Sequence, residues 1–489
     1  MKLPKDFKLI LPAFGKYQEQ SIGFGIIEPN PGLLLDMGLG KTYVALNISR
    51  YRIQKNNVNK ILVASPLCVI DKWLEEIKEF TEYKGISLHH PVRKKRIESI
   101  DIFRKDNSLR FGLINYEALY TFFKYLKIIP IDLIIADESA RYIKNLKQSG
   151  PTKFQGTKRA LAIVALGDKA RYRMILTGTP ITNTPLDIWS QFRFKDKGDT
   201  FGTNFYAWRN YFFDTYEHHG YKKFILKKDR AGQLTKGIYK SCIRFKKEDV
   251  IENLPEKMYI SLEIELEGRL RREYESVKKK VIAELETEQG LVALNIQHVF
   301  TKYIRLQQVT SGFIKNERGK YVKLISTPKL DTLMEEIDLI LDLNESIIIW
   351  CRFLYSIDLI SELLKERNIQ YITMTGRDKD KTLKWRTFQT TKIPIFIGQV
   401  EAGGIGIELF KENTSDEYQH TIFYENTFVL DHREQALARS YGRIGQNAKS
   451  RIVDLTIKDT IDEKMKTVLR QNKSIADLIM EKGAIEFIK

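Results

Sequence analysis

The chain has 489 residues, 43% of them hydrophobic, which is too long for one hydrophobic core and suits two or three domains. Its 80 basic residues outnumber 62 acidic ones, and the formal net charge of +18 indicates a polyanionic partner. The 3 cysteines lie far apart, which argues against a disulfide framework and a zinc-ligand spacing, and no apolar stretch reaches membrane-spanning length. We expect a soluble, cytoplasmic protein without a membrane partner.

Short β-branched runs alternate with amphipathic stretches along the chain, which is the pattern of parallel α/β layers. The predicted strands fall into two clusters, and the sequence between them is first basic and aromatic, then helical. We predict an α/β fold with two parallel-sheet lobes in tandem, residues 1–193 and 326–489, and an inserted helical and basic segment at 194–325 that contacts nucleic acid. The predicted strands are residues 60–64, 111–114, 133–136, 174–176, 346–350, 394–397 and 421–424.

A glycine-spaced Lys-Thr pair follows the first apolar run, Leu33-Leu34-Leu35, in the string Asp36-Met37-Gly38-Leu39-Gly40-Lys41-Thr42. A glycine turn between a strand and a helix leaves backbone N–H groups aimed at one spot, where the helix dipole also favours phosphate. Lys41 would then reach the outer phosphates, and the Thr42 hydroxyl would ligate Mg²⁺. The pattern predicts a nucleotide site, although Leu35 occupies a position where the strict phosphate loop has a further glycine.

A carboxylate pair, Asp137-Glu138, ends the apolar run at residues 133–136. The carboxyl edge of a parallel strand is where such sheets bind ligands. Asp137 would hold Mg²⁺, and Glu138 would orient or deprotonate the attacking water. The alternative is a solvated turn, but the position after a buried strand and downstream of a phosphate loop favours catalysis.

Two arginines, Arg439 and Arg443, form the third candidate element. At a spacing of four residues they would share a helix face and could both point at a transferring phosphoryl group. An arginine supplied to that charge is worth on the order of 10³ to 10⁵ in rate. An arginine-rich helix is by itself more often a solvated face, so this assignment depends on the three elements together.

Together these motifs resemble the superfamily 2 helicases, specifically the SWI/SNF-like group of DNA translocases, over residues 11–457. The resemblance implies two RecA-like lobes, ATP and Mg²⁺ as cofactors, and ATP hydrolysis coupled to movement on single- or double-stranded DNA. The strings that carry it are Leu11-Pro12 with Tyr17-Gln18, Asp36 to Thr42, Ser65-Pro66 with Trp73, Asn115-Tyr116-Glu117, Leu176 to Asn183, Ala402 to Gly406, and Arg443-Ile444-Gly445-Gln446.

The family pattern also implies roles for single residues. Gln18 would read the adenine, the phosphate loop and Gly406 would hold ATP, and closing the two lobes would bring Arg439 and Arg443 to the carboxylate pair. Small residues expose backbone N–H groups to nucleic-acid phosphates. The residues implied to contact nucleic acid are Pro66, Asn115, Tyr116, Thr177, Gly178, Arg352, Gly403 and Gly404.

Two departures from the family pattern stand out. Asp137-Glu138 is followed by Ser139-Ala140, so the histidine that in the family helps couple hydrolysis to motion has no counterpart here. The final arginines are four residues apart, whereas the family spaces them by three. No chromatin-reading module is evident, and the compact chain resembles the versions found in phage and mobile elements.

The basic segment at residues 221–247 is a further nucleic-acid candidate. Basic side chains neutralise phosphates, and the interleaved aromatic rings could stack on bases. A solvated basic hairpin with its aromatic rings in the core is an equally weighted alternative. The lysines chosen as contacts are Lys222, Lys223, Lys227 and Lys228, and the aromatic residues are Phe224, Tyr239 and Phe245.

The leading functional hypothesis is therefore a monomeric ATP-dependent DNA translocase or helicase that acts in replication, recombination or repair, with replication or recombination proteins as possible partners. A second hypothesis is an ATP-switched clamp on nucleic acid or on a partner without processive unwinding, to which the missing histidine gives weight. A third is an RNA helicase, which the motifs Leu-Thr-Gly-Thr-Pro and Arg-Ile-Gly-Gln disfavour.

Overall fold

Two parallel β-sheets organise the chain, one in each of two compact units. The computed structural model describes residues 2–148, 150, 153–181, 184–218, 221–251, 256–289, 296–316, 318–325, 327–378, 380–401, 409, 411, 416–441 and 448–470. The first unit takes residues 1–216 and 223–254, and the second takes residues 217–222 and 255–489.

The secondary structure up to residue 250 builds the first sheet and its helices. A short 3₁₀ turn, Leu67–Val69, precedes the third helix. The elements are α1 (Lys16–Ile27), β1 (Gly32–Leu35), α2 (Lys41–Asn56), β2 (Ile61–Ser65), α3 (Ile70–Phe80), β3 (Lys84–Ser87), α4 (Arg93–Lys105), β4 (Leu109–Asn115), α5 (Tyr116–Thr121), α6 (Phe123–Leu126), β5 (Leu133–Asp137), α7 (Ser139–Tyr142), β6 (Lys147–Gln148), β7 (Phe154–Gln155), α8 (Lys158–Gly167), β8 (Tyr172–Leu176), α9 (Asp187–Asp196), α10 (Phe205–Phe212), β9 (Phe213–His218), β10 (Tyr221–Leu226), α11 (Ala231–Lys240), β11 (Cys242–Phe245) and α12 (Lys247–Val250).

Seven strands of the first unit form one sheet in the order β11, β1, β8, β5, β2, β4, β3. Strands β1, β2 and β5 are buried at every position, which explains their unbroken apolar sequences, since helices cover both faces of such a sheet. Strand β8 pairs in parallel with β1 on one side and with β5 on the other. The loops that follow β1, β8 and β5 therefore emerge side by side at one edge.

The remaining elements belong to the second unit, which has a second sheet with its own apolar core. They are β12 (Lys257–Ile264), α13 (Gly268–Gln289), α14 (Ile296–Thr310), β13 (Phe313–Lys315), β14 (Tyr321–Lys323), α15 (Pro328–Asp342), β15 (Ile347–Cys351), α16 (Leu354–Glu366), β16 (Tyr371–Met374), α17 (Lys381–Thr390), β17 (Ile395–Gln399), β18 (Tyr418–Phe423), α18 (Leu430–Ser440), β19 (Lys449–Ile457) and α19 (Ile461–Arg470), of which β13 and β14 form a separate two-stranded sheet. The second sheet is parallel and six-stranded, in the order β12, β19, β18, β15, β17, β16.

The predicted fold class, two parallel α/β sheets in tandem, is confirmed, and each of the seven predicted strands overlaps an observed one. The segment at 194–325 is divided between the two units. Strand β11 adds to the first sheet beside β1, and β12 adds to the second sheet beside β19. Within the described residues, no helix is both long and apolar enough to cross a membrane.

Candidate functional site

The phosphate loop between β1 and α2 is shaped by two glycines in left-handed conformations. Gly38 has φ 89° and Gly40 has φ 77°, values that L-residues with a side chain rarely adopt. A Cβ atom at Gly40 would also lie 2.4 Å from Nε2 of Gln18. Helix α2 starts at Lys41, whose Nζ donates a hydrogen bond to the Leu35 carbonyl at 3.0 Å. The loop thus presents a helix N-terminus and an ammonium group, as an anion site requires.

Gln18 braces this loop from helix α1. Its Nε2 donates to the Leu39 carbonyl at 3.1 Å, and its Oε1 accepts from the Phe14 amide at 2.8 Å. The Tyr43 hydroxyl donates to the Leu11 carbonyl at 2.7 Å, which fixes the N-terminal segment against α2. Gln18 is 4% exposed, and both the oxygen and the nitrogen of its side-chain amide form hydrogen bonds within the protein. The structure therefore shows Gln18 supporting the loop that holds Met37 and Leu39.

Asp137, the last residue of β5, is anchored by three neighbours. The indole Nε1 of Trp73 donates to one carboxylate oxygen at 3.0 Å, and the Glu138 amide donates to the other at 3.0 Å. The Tyr116 hydroxyl donates to the Asp137 carbonyl at 2.6 Å. Glu138 has φ 50°, a left-handed conformation that is uncommon for a residue with a side chain and clusters at functional sites.

The surroundings of Asp137 oppose its ionisation. Burial raises the pKa of the Asp137 carboxyl to about 6, and the neighbouring Glu138 charge adds to the rise. The hydrogen bond from Trp73 and the positive charge of Lys41 act in the opposite direction and lower this pKa. A cation such as Mg²⁺ would favour the ionised carboxylate in the same way.

The residues suit Mg²⁺ bound together with a nucleotide. Thr42 lies in the first turn of α2 and is partly exposed, and Asp137 supplies a buried carboxylate. In the described part of the chain, no group of three or more His, Cys, Asp or Glu side chains forms a metal cluster. Magnesium in phosphate-handling sites commonly takes one or two carboxylates and completes its shell with water and substrate phosphates, so this donor set fits.

The turn after β8 packs against the phosphate loop. The Thr177 amide donates to the Leu33 carbonyl at 3.1 Å, and the Thr177 hydroxyl donates to the Thr179 carbonyl at 3.1 Å. A Cβ atom at Gly178 would lie 3.3 Å from the Met37 amide nitrogen. Thr177 is fully buried, so its side chain lies in the protein interior. The contact of Thr177 and Gly178 with nucleic acid stays a prediction.

The predicted nucleic-acid contacts after β2 and β4 are mostly buried. Pro66 is buried, and Asn115 is 6% exposed and donates to Glu117 at 3.0 Å. Tyr116 is fully buried and stacks on Tyr142 with ring centroids 4.3 Å apart. The Tyr116 side chain thus supports Asp137 from within the core. The contact with nucleic acid is predicted for the backbone of Tyr116 and stays a prediction.

In the second unit, Arg352 is held by its own neighbours. Its amide donates to Glu425 at 2.7 Å, its Nη1 donates to Gln307 at 3.0 Å, and its guanidinium lies 4.4 Å from the centre of the Phe428 ring. The Arg352 side chain is 12% exposed. Some of the hydrogen-bond donors of Arg352 are thus already bonded within the protein.

Helix α18 ends at Ser440, and Tyr441 is extended with φ −136° and ψ 141°. The helix face predicted to carry both Arg439 and Arg443 is therefore not formed by α18, and Gly442, which follows, is a poor helix former. Arg439 lies on α18 and is 5% exposed. Arg443, Gly403, Gly404 and Gly406 lie outside the described residues, as do the side chains of Lys222 and Lys223.

Beyond strand β10, Lys227 and Lys228 differ in their environment. The Lys227 Nζ donates to the Asn210 carbonyl at 2.8 Å, whereas Lys228 is exposed. Phe224 packs partly against the core beneath Arg209, whose guanidinium lies 4.7 Å from the ring centre, and Tyr239 is 43% exposed. The aromatic residues of the segment thus divide between core and surface.

The sequence profile of the SNF2-related domain matches residues 17–312 of the 489. The chain belongs to the SNF2-related family. This membership confirms the family inferred from the motifs, and the matched region contains the phosphate loop, the carboxylate pair and the Thr177 turn.

Several relatives resemble this SNF2-related chain along most of its length. An uncharacterised ATP-dependent helicase of Mycoplasma genitalium is 24% identical over 94% of the chain, and the putative ATP-dependent helicase/translocase YwqA of Bacillus subtilis is 26% identical over 98%. The chain spans only 41% and 50% of those two proteins. A putative protein of Acyrthosiphon pisum secondary endosymbiont phage 1 is 24% identical over 91% of the chain and 93% of its own length.

The fold of the SNF2-related chain is also found among solved structures. The Hef helicase domain of Pyrococcus furiosus superposes with a TM-score of 0.54 at 15% identity, covering 93% of this chain and 98% of that one. The likeness supports the tandem arrangement of two RecA-like sheets.

Sequence reasoning missed several supporting residues of the SNF2-related site. Asp36 accepts a hydrogen bond from the Lys247 amide at 3.1 Å, which ties the loop to the region after β11. In the second unit, Arg433 makes a bidentate pair with Asp454 at 2.7 and 2.9 Å. Trp73 belongs to a family motif, but the sequence does not indicate that it bonds to Asp137. A buried donor opposite a carboxylate has no local signature, because its partner is distant in sequence.

Proposed function

We propose that this SNF2-related chain hydrolyses ATP with Mg²⁺ and couples the hydrolysis to movement on DNA or to its remodelling. The observation that carries the proposal is the convergence of three loops at one edge of the first sheet: the phosphate loop after β1, the Thr177–Pro180 turn after β8, and Asp137-Glu138 after β5. The helicase names of two relatives support it.

The described residues supply the parts that phosphoryl transfer to water needs. Lys41 and the N-terminus of α2 bind the phosphates. Thr42 and Asp137 would hold Mg²⁺, which would neutralise charge on the phosphates. Glu138 orients or deprotonates the attacking water. Arg439, Arg443 and Gly406 are assigned to the same reaction by the family resemblance alone.

DNA is the proposed polyanion. The net charge of +18 suits a phosphate backbone, and exposed lysines such as Lys228 offer contacts that do not depend on base sequence. The finer assignment, to replication, recombination or repair in the cytoplasm of a cell or of a phage-infected host, follows the resemblance and the phage relative.

The role of Glu138 gives the direct test of the ATPase. We expect Glu138→Gln to abolish ATP turnover while ATP binding and DNA binding persist, because the amide keeps the shape of the side chain but not its basicity. Steady-state ATPase assays and equilibrium nucleotide binding measure the two effects. Lys41→Ala is the matched comparison and should lose ATP binding itself. Turnover by Glu138→Gln at the wild-type rate would contradict the assignment.

The nucleic-acid substrate is tested by stimulation of the ATPase with single-stranded DNA, duplex DNA, forked DNA and RNA, with strand displacement scored in parallel. Duplex stimulation without displacement is the result expected for a translocase. Stimulation by RNA alone, or by none of the four, would contradict a DNA-directed motor.

A further inference from the structure

Two hydrogen bonds, one buried and one partly buried, join the segment after the carboxylate pair to the turn after β8. The Ser139 hydroxyl bonds to Oε1 of Gln191 at 2.9 Å, and Nε2 of Gln191 donates to the Pro180 carbonyl at 2.9 Å. Ser139 is fully buried, and Gln191, on helix α9, is 2% exposed. Two bonds through one amide thus link positions that are 41 residues apart in sequence, from Ser139 to Pro180.

The orientation of the Gln191 amide is set by chemistry. A proline carbonyl only accepts hydrogen bonds, so the NH₂ group must face Pro180. The amide oxygen then faces Ser139, whose hydroxyl donates to it. Ser139 and Gln191 are both buried, so a displacement that broke their bond would leave two buried polar groups unsatisfied. The arrangement is therefore sensitive to small displacements.

The link connects the loop that carries Glu138 with the turn after β8. Ser139 directly follows Glu138, whose backbone is in a left-handed conformation that a shift of Ser139 would disturb. Pro180 ends the Thr177 turn, which contacts the phosphate loop. On its other side, Asp137 is held by Trp73 and Tyr116, so the carboxylate pair is braced there independently of Gln191.

We propose that Gln191 is a positioning residue that, through Ser139, couples the position of the Thr177–Pro180 turn to that of Glu138. DNA-dependent movement of this turn would thereby change the rate of ATP hydrolysis. Of Ser139 and Ala140, which follow Glu138, only Ser139 has a polar side chain that can form such a link. This inference rests on the proposed DNA-stimulated ATPase.

The test compares ATPase rates with and without duplex DNA in the full-length chain. Ser139→Ala and Gln191→Leu should each reduce the stimulation by DNA about fivefold or more, a typical coupling between sites, while basal kcat and the KM for ATP change less than about twofold. Because both changes interrupt one link, the double variant should lose no more than Gln191→Leu does. If Gln191→Leu does not fold, Gln191→Met removes both hydrogen-bonding groups of the amide with little change in size.

Ser190→Ala is the matched control. Ser190 is adjacent to Gln191 on α9, is 1% exposed and bonds through its hydroxyl to Leu146 at 3.0 Å. The Ser190→Ala variant should have a melting temperature lowered about as much as that of Ser139→Ala, but its ATPase should still be stimulated by DNA.

The two proposals fail in different ways. Wild-type protein without DNA-stimulated ATPase would overturn the proposed function and this inference together. A stimulated wild type whose Ser139→Ala variant is equally stimulated, or whose Ser190→Ala variant loses as much, would overturn only the coupling by Gln191.

Discussion

Trp73 is the residue that most clearly acts through another. Its side chain is 2% exposed, and its indole N–H reaches a carboxylate 64 residues further along the chain. A buried carboxylate is costly unless donors surround it, and this indole is one of two N–H groups that satisfy Asp137. We infer that Trp73 keeps Asp137 ionised and oriented for Mg²⁺.

Trp73→Phe should therefore change the pH dependence of catalysis. The bond from Trp73 favours the ionised carboxylate, so its loss should raise the pKa of Asp137 above about 6. Protonated Asp137 cannot ligate Mg²⁺, so the acid limb of kcat/KM should lie at higher pH in the variant than in the wild type. Nucleotide binding should also need more Mg²⁺. A pH profile and a Mg²⁺ titration of nucleotide binding measure both effects.

Trp189→Phe provides the control for this substitution. Trp189 is equally buried in the first unit, and its indole nitrogen has no hydrogen-bond partner among the described residues. An acid limb that moves in both variants, or in neither, would contradict a specific role for the Trp73 bond.

At the scale of elements, the basic segment 221–247 is continuous in sequence but is divided in the fold. It forms β10, α11 and β11, and β11 pairs with β1 beside the phosphate loop. The Asp36 amide donates to the Phe245 carbonyl at 3.1 Å, and the Asp36 carboxylate accepts from Lys247. The end of the segment therefore supports the phosphate loop, and the exposed residues near Lys228 remain the proposed contacts with DNA.

Lys228→Ala should weaken DNA binding equally for all sequences and reduce the slope of log affinity against log salt by about 1. Lys227→Ala should in addition lower stability, because Lys227 also bonds to the Asn210 carbonyl. Lys365→Ala, at an exposed site on α16, removes the same charge elsewhere. Salt titrations of DNA affinity provide the measurement. An unchanged slope of log affinity against log salt in Lys228→Ala would favour the alternative, a solvated basic hairpin.

At the scale of the whole molecule, each unit has its own apolar core beneath its own sheet. Proteins of this size commonly unfold unit by unit. Most of the described residues that are proposed to bind the nucleotide, including Lys41 and Asp137, belong to the first unit. A ligand stabilises the unit that binds it according to its concentration relative to Kd.

We accordingly expect two transitions in calorimetry, and a non-hydrolysable ATP analogue with Mg²⁺ should raise the transition of the first unit by about 5 °C or more at saturation. Lys41→Ala should abolish this shift without merging the transitions. A single transition, or an equal shift in Lys41→Ala, would disagree with this division of the chain.

The two sheets and the phosphate loop follow from local sequence patterns. Buried parallel strands require apolar runs and a left-handed turn requires glycine, so the strand at residues 133–136 and Gly40 are specified by their immediate neighbours. Asp137 and Glu138 could be found for the same reason, because they end such a run.

Which distant residues support the site depends on the tertiary structure. Trp73 with Asp137, Ser139 with Gln191, and β11 with β1 are pairings that follow from strand order and helix packing, which no local pattern encodes. The helix that ends at Ser440 shows the same limit, because a spacing of four predicts a shared face only where the helix continues. Local chemistry is determined by residues that are adjacent in sequence. These contacts instead depend on chain segments that meet only when the sheets have formed.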